Sequence, residues 1–327
     1  MTRTRASTVW IDWNRHLRSR TLARRLGVEL VEIRVGGSRL GRYLRSILRT
    51  VTVIRSRRPA TVIATNPSLV LGLLLLMLRQ YYGFALISDA HYLGVRAKNG
   101  STLWQKLLDF HNKRADLVIV TNNNHAQYLT DRGCRAYVCP DPLPNLRAAG
   151  SPAASMPAKA ILLVCSFDAD EPHEAAFAAF ARLQPLGFVS FVSGNYRKAR
   201  VDPAVFPWVN FLGFVSEDEY YTHLQQCSVV VDLTSLEDCL LCGAYEALAA
   251  GRPLVTSNTL ALREYFGAAA LLTENTPDAI AALVERAYAQ RDELRLRINA
   301  WVVENERWMQ GRIAELAARL QTLPGAP

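Results

Sequence analysis

The chain lacks an apolar run long enough to cross a bilayer. Its greasiest stretch, Leu69 to Leu78, is ten residues; a span needs about 20, so a buried helix is expected there. It also lacks a cysteine framework. Six cysteines lie scattered at 134, 139, 165, 227, 239 and 242 in 327 residues, which argues for reduced thiols and a cytoplasmic setting. Cys239 and Cys242 form a lone C-x-x-C with no second Cys or His pair at zinc spacing, so no metal is expected. No apolar h-region follows the opening M-T-R-T-R-A-S-T, so no secretory leader is expected. A helix-turn-helix, an RNA-binding aromatic motif and a zinc finger are all missing, which argues against nucleic acid as a partner.

Acid is scarce in the first half. Residues 1–150 hold 24 Lys and Arg against 8 Asp and Glu; the rest holds 14 against 21. A basic half joined to an acidic one points to a polyanionic surface on one side only, and with nucleic acid disfavoured, that surface is an anionic membrane. Arg39, Arg42, Arg45 and Arg49 recur at spacings of three and four and line one side of a helix. A solvated face is the plainer alternative.

What is present is an α/β alternation. Half the residues are apolar and a fifth charged, a globular composition, and the length favours two domains. Strands are expected at Thr8–Asp12, Val28–Val35, Thr61–Thr65, Phe84–Asp89, Leu117–Thr121 and Ala136–Cys139. The helices between them are Arg15–Leu26, Arg39–Arg57, Leu69–Tyr82, Thr102–Arg114 and Asn124–Arg132. A Pro/Ala/Ser-rich stretch then interrupts the pattern, which resumes with a strand at Ala160–Cys165. This predicts a basic domain over 1–145, a linker over 146–158, a second domain over 159–290 and a helical tail over 291–327. Both domains read as doubly wound, Rossmann-like parallel sheets with a cleft between them, ligands lying beyond the carboxyl ends of the strands.

The densest chemistry is S-L-E-D-C-L-L-C-G-A-Y-E-A-L-A-A-G-R-P-L-V-T-S, residues 235–257. A strand ends at Leu233, a loop carries Glu237 and Asp238, and a helix opens near Gly243 with Glu246 one turn inside. Unpaired amides near Leu241–Gly243 seat phosphate, and Gly243 lets a ligand approach the backbone. Carboxylates beside them accept from sugar hydroxyls. The bland alternative is a capped helix with exposed acids.

The stretch D-C-L-L-C-G-A-Y-E-A-L-A-A-G-R-P-L-V-T-S, followed by L-A-L-R-E-Y-F-G-A-A-A-L-L-T, resembles the donor-site signature of the family-4 (group 1) retaining glycosyltransferases of the GT-B fold. The likeness is closest over residues 228–285. Asp238 and Glu246 keep that signature's seven-residue gap, with Asp where the family usually has Glu; Glu237 is one residue out of register. The resemblance implies that Glu246 holds the ribose and Asp238 faces the donor sugar. It also implies an Arg and a Lys after the first strand of the second domain. Here that place reads Ser166-Phe167-Asp168-Ala169-Asp170-Glu171-Pro172, acids and no base, and Arg197 and Lys198 are the nearest substitutes for neutralising phosphate. The Gly-rich loop expected after the first strand is likewise replaced, by Asp12 to Arg20, where Arg15, His16 and Arg18 suit a phosphate or anionic acceptor, or simply face solvent. His91 resembles the family position over the donor sugar, with Asp89 to orient it.

The resemblance implies a metal-independent, retaining hexosyltransferase with a UDP- or GDP-type nucleotide sugar as substrate and no cofactor. Its acceptor would be lipid-linked or a saccharide, in surface polysaccharide or glycolipid synthesis, with the enzyme peripheral at the inner face of the plasma membrane. The alternatives are a nucleotide-sugar 2-epimerase and a non-catalytic GT-B partner of another transferase, the second favoured by the missing Arg/Lys pair.

Overall fold

The structure is a computed structural model that describes residues 8–66, 68–97, 100–146 and 156–323. Most of the expected linker, residues 147–155, lies outside the described residues. The chain divides into two compact units. One combines Met1–Pro142 with Arg307–Pro327; the other is Leu143–Glu306.

The first unit is built on a six-stranded parallel sheet. Its strands are β1 (Thr8–Asp12), β2 (Glu29–Glu32), β3 (Thr61–Asn66), β4 (Ala85–Ala90), β5 (Leu117–Val120) and β6 (Ala136–Val138). Their spatial order is β2-β1-β3-β4-β5-β6. Every residue of β3, β4 and β5 is buried, as expected of a parallel sheet covered by helices on both faces. The helices are α1 (Leu17–Leu26), α2 (Arg39–Arg57), α3 (Leu69–Tyr82), the single-turn α4 (Tyr92–Val95), α5 (Thr102–Arg114) and α6 (Asn123–Thr130). The greasy run is a helix buried along one face only: α3 packs Leu71 and Leu75 against Val62 and Leu86, while Met77 on it is 64% exposed. No helix among the described residues is long and apolar enough to cross a membrane.

The second unit repeats the design. Its strands are β7 (Ala160–Val164), β8 (Val189–Ser193), β9 (Val209–Gly213), β10 (Val229–Asp232), β11 (Leu254–Ser257) and β12 (Leu271–Thr273). They lie in the order β12-β11-β10-β7-β8-β9, all parallel. The connecting helices are α7 (His173–Leu183), α8 (Glu217–Gln226), α9 (Cys242–Ala249), α10 (Leu260–Phe266) and α11 (Pro277–Ala289). One face of the sheet is filled by Phe177, Phe180 and Leu183 of α7 with Ile280 and Val284 of α11.

The last helix, where a helical tail is expected, is divided between the two units. Helix α12 (Arg291–Thr322) is continuous, and Ile298, Trp301 and Val302 pack into the core of the second unit. Beyond Glu306 it belongs to the first unit, where Met309, Ile313, Leu316 and Leu320 are buried with Trp10, Ile63 and Tyr137. Arg312 fastens it there, donating from Nε and Nη2 to the Val138 carbonyl at 3.0 and 2.6 Å, and the Tyr137 hydroxyl donates back to the Arg312 carbonyl at 2.7 Å.

Candidate functional site

In the second unit the strand order reverses between β7 and β10, and crevices at such reversals, beyond the strand carboxyl ends, are where open α/β sheets bind ligands. The loop after β7 and the loop after β10 meet there. The Thr234 hydroxyl donates to Asp170 Oδ2 at 2.9 Å, and the Ser235 amide to the Asp170 carbonyl at 2.7 Å. Helix α9 opens at the end of the second loop. Its N-cap, Leu241, makes no side-chain cap bond; the Gly243 and Ala244 amides of its first turn bond the Asp232 carboxyl beneath them instead, and the helix dipole leaves partial positive charge at this end. Asp238 lies in the loop ahead of that end and Glu246 on the helix, as the spacing predicts.

Glu246 is not idle. Its Oε2 accepts from the Tyr220 hydroxyl of α8 at 2.5 Å. Burial raises the Glu246 carboxyl above its ordinary range; the Tyr220 bond works against that and Glu217 adds to it. Beneath α9 sits Asp232, the last residue of β10, 3% exposed. Burial, then Glu171 and Glu246, push its carboxyl well above the ordinary range, against the pull of the Ala244 and Gly243 amides. Its Oδ2 has no hydrogen-bond partner. A buried acid of this kind favours its neutral form.

The role expected of Gly243 changes. A Cβ there would lie 2.5 Å from Asp232 Oδ2 and 2.7 Å from Val164 Cγ1. The glycine lets α9 seat directly on β7 and β10, and it is buried, so close helix-to-sheet packing explains it without a ligand. Glu237 also has a structural occupation. Its Oε2 accepts from the Leu260 amide at 2.9 Å and its carbonyl from the Ala261 amide at 3.0 Å, so it caps the start of α10.

The loop after β7 carries acids where bases were expected, and the structure shows what they do. The Glu171 carboxylate accepts from the Ser166 amide at 3.1 Å, the Asp168 amide at 2.9 Å and the Ser166 hydroxyl at 3.0 Å. Phe167 between those amides has φ 61°, in the left-handed region. Successive amides around such a residue form an anion-binding hollow, and a side chain of the protein fills it. Lys198, from the turn after β8, does reach this loop, but its Nζ is 2.5 Å from Asp168 Oδ1, which raises the lysine's pKa chiefly through that hydrogen bond. Arg197 lies with its guanidinium 5.7 Å from the Tyr196 ring.

In the first unit four of the expected residues come together and one stands apart. Arg18 is buried at 4% exposure. It donates from Nε and Nη2 to Asp89 at 3.0 and 2.9 Å, from Nη1 to Asp141 at 2.5 Å, and from Nη2 to the Cys139 carbonyl at 2.8 Å. It therefore braces the ends of β4 and β6 and has no donor facing solvent, contrary to an anion-binding role. Burial alone would raise the Asp89 carboxyl; Arg18, and then His91, outweigh it and hold it down to about 2. His91 Nε2 lies 3.4 Å from Asp89 Oδ2, and the His16 ring is 5.5 Å from the His91 ring. Arg15 is exposed and lines a separate cavity of about 430 Å³ with Trp13, Arg34 and Arg42.

Sequence reasoning missed Asp232, Tyr220 and Glu171. Asp232 had a readable signal, an acid ending the buried run V-V-V-D beside the crevice. Tyr220 had none, because only the fold brings α8 to Glu246.

Residues 158–290 match the family described as glycosyl transferases group 1. Among curated proteins none matches the chain. Among solved structures, it resembles a sucrose-phosphate synthase from Thermosynechococcus elongatus with a TM-score of 0.75 and 17% identity, covering 97% of this chain and 99% of the other. It resembles Anabaena HepE, solved in complex with UDP-glucose, at 0.72 and 13%, covering 96% and 99%. A glycosyltransferase from Rickettsia africae aligns at 0.69 and 10%, covering 98% and 99%. Residues 158–290, the bulk of the second unit, thus match the group 1 glycosyltransferases, and the two six-stranded parallel sheets give the chain the GT-B fold of the solved structures it resembles.

Proposed function

We propose that the chain transfers a hexose from a nucleotide diphosphate donor, with retention of configuration and without metal, to a lipid-linked or saccharide acceptor in surface polysaccharide or glycolipid synthesis. The observation that carries this reading is the pair Asp238 and Glu246 flanking the amino end of α9, at the strand-order reversal of the unit that matches the family. In this reading Glu246 turns from Tyr220 to the ribose diol, Asp238 faces the donor sugar, and the α9 amides near Leu241 and Gly243 stabilise charge on the leaving diphosphate. His91, oriented by Asp89, contacts a sugar hydroxyl. The solved complex of HepE with UDP-glucose supports a UDP-type donor.

Membrane attachment is part of the proposal. On α2, Leu40, Leu44 and Leu48 are 71%, 54% and 66% exposed, a greasy stripe beside the exposed Arg39 and Arg42. Such a face suits the interface of an anionic bilayer. Sedimentation with anionic but not neutral vesicles, abolished by high salt, is the expected result.

Calorimetry with a panel of UDP- and GDP-sugars tests the donor. One of them should bind, and Glu246→Ala should weaken it by roughly 10- to 100-fold, the loss of charge-assisted bonds to a diol. Wild-type binding by Glu246→Ala and Asp238→Ala would discredit the site. A second reading, a non-catalytic partner of another transferase, is favoured by one observation: Glu171 already fills the amide hollow after β7, and Asp168 already neutralises Lys198. Absence of binding by every donor would favour it. Turnover of a donor alone to an epimer would instead identify a 2-epimerase.

A further inference from the structure

The first sheet also reverses its order, between β1 and β3, and the 430 Å³ cavity lies at that reversal. Its walls come from the loops after β1 (Trp13 and Arg15) and β2 (Arg34), from the start of α2 (Arg42 and Tyr43) and from Ser68 ahead of α3. We infer that this cavity binds the acceptor, and that the acceptor is a phosphorylated saccharide: its phosphate lies among Arg15, Arg34 and Arg42 and its sugar ring against Trp13 and Tyr43. The inference rests on the transferase reading and adds the substrate class.

Charge is the first reason. Among the described residues, three arginines line the cavity and no carboxylate does. Arg15 and Arg42 are exposed and make no ion pair among the described residues. Arg34 donates to Glu32 at 2.8 Å, but both oxygens of that carboxylate also accept from Arg20 at 2.7 Å. One carboxylate thus serves two guanidiniums, and the cluster keeps surplus positive charge. Three such groups match a phosphate dianion better than a neutral sugar.

Preorganisation is the second. Arg49 Nη1 holds the Arg34 carbonyl at 3.2 Å, Arg45 Nη2 holds the Gly36 carbonyl, and Arg45 Nε holds the Gly41 carbonyl at 3.0 Å. Two of the four arginines in the α2 row therefore brace the loop that forms the wall, and Arg42 is left to project from it. Trp13 is fixed by its indole N–H, which donates to the Thr50 hydroxyl at 2.9 Å, and its ring centroid lies 6.1 Å from that of Tyr43. Paired aromatics offer the apolar face a pyranose ring packs on. The volume falls within the range of small-molecule sites.

The full-length chain is titrated with glucose, with glucose 6-phosphate, and with a polyprenyl-linked sugar phosphate in detergent micelles. At least one phosphorylated probe should bind more than about tenfold tighter than glucose, and the stronger of the two tells a free acceptor from a carrier-linked one. Added salt should weaken it. Arg15→Ala and Arg42→Ala, both at exposed positions that leave the fold intact, should each cost about tenfold in affinity. Neither phosphorylated probe exceeding glucose, or both variants binding like wild type, would overturn the inference. Glu246→Ala separates the two readings: it should keep phosphosugar affinity while losing nucleotide-sugar affinity. A wild-type chain that binds the phosphosugar and no nucleotide sugar would sink the transferase reading, and with it the acceptor role, and leave the cavity as a phosphosugar site.

Discussion

At the scale of single residues, His111 shows how burial converts into pH dependence. It is fully buried on α5 and wedged against α3, where a Cβ at Gly72 would lie 2.6 Å from its Nε2. Burial pulls its pKa down to about 4 from the ordinary 6.5, with only Asn112 working the other way. The unfolded chain therefore takes up a proton first as pH falls. The stability contributed by the neutral imidazole is complete above about pH 6.5 and is lost between there and pH 4, a change of about 3 kcal/mol. His111→Gln should lose less of its melting temperature than wild type between pH 7 and pH 4.5; equal losses would refute the assignment. Asp232 works in the opposite sense, since its raised carboxyl is protonated earlier in the folded state, so only the difference between wild type and variant isolates His111.

Among the secondary elements, neighbouring acids separate by job. Glu237 caps α10 through the Leu260 amide, while Asp238 faces the proposed donor. Glu237→Ala should lower stability by about 1 kcal/mol, the usual cost of a lost cap, and leave nucleotide-sugar affinity unchanged; a thermal melt beside a donor titration reads both, and loss of affinity would put Glu237 in the site after all. Much at this scale was legible in the sequence. Helices α2, α3 and α5 have the expected limits; Ser38 caps α2, and Gly83 takes the left-handed conformation after α3. Strand β2 is shorter than its apolar run suggests, because β1, its partner, ends at Asp12 opposite Glu32. The spacing of Asp238 and Glu246 was readable along the chain. The Tyr220 contact, the Glu171 hollow and the buried Arg18 were not, because each depends on residues that only the tertiary fold brings together.

For the whole molecule, the boundary of the tail was invisible in sequence because nothing in α12 marks it. No proline breaks Arg291–Thr322, and its one glycine, Gly311, has open space where a side chain would go. The register of buried residues changes partner instead, from Ile298 in one core to Met309, Ile313, Leu316 and Leu320 in the other. Four large apolar side chains at about 1.5–3 kcal/mol each rival the net stability of an entire domain. A chain ending at Glu306 should therefore keep the second unit's calorimetric transition and lose the first's. Two transitions near their full-length temperatures would show that the helix end is dispensable.

The same helix sets an order of events at the ribosome. Residues 143–306 can close their own core as soon as they emerge, but the first sheet is missing a wall until Met309–Leu320 have been made. At roughly 5–20 residues per second, that sheet waits on the order of ten to thirty seconds with Trp10 and Tyr137 uncovered. The first sheet, made before the second, is thus completed after it, and it is the one of the two that chaperones would hold longer.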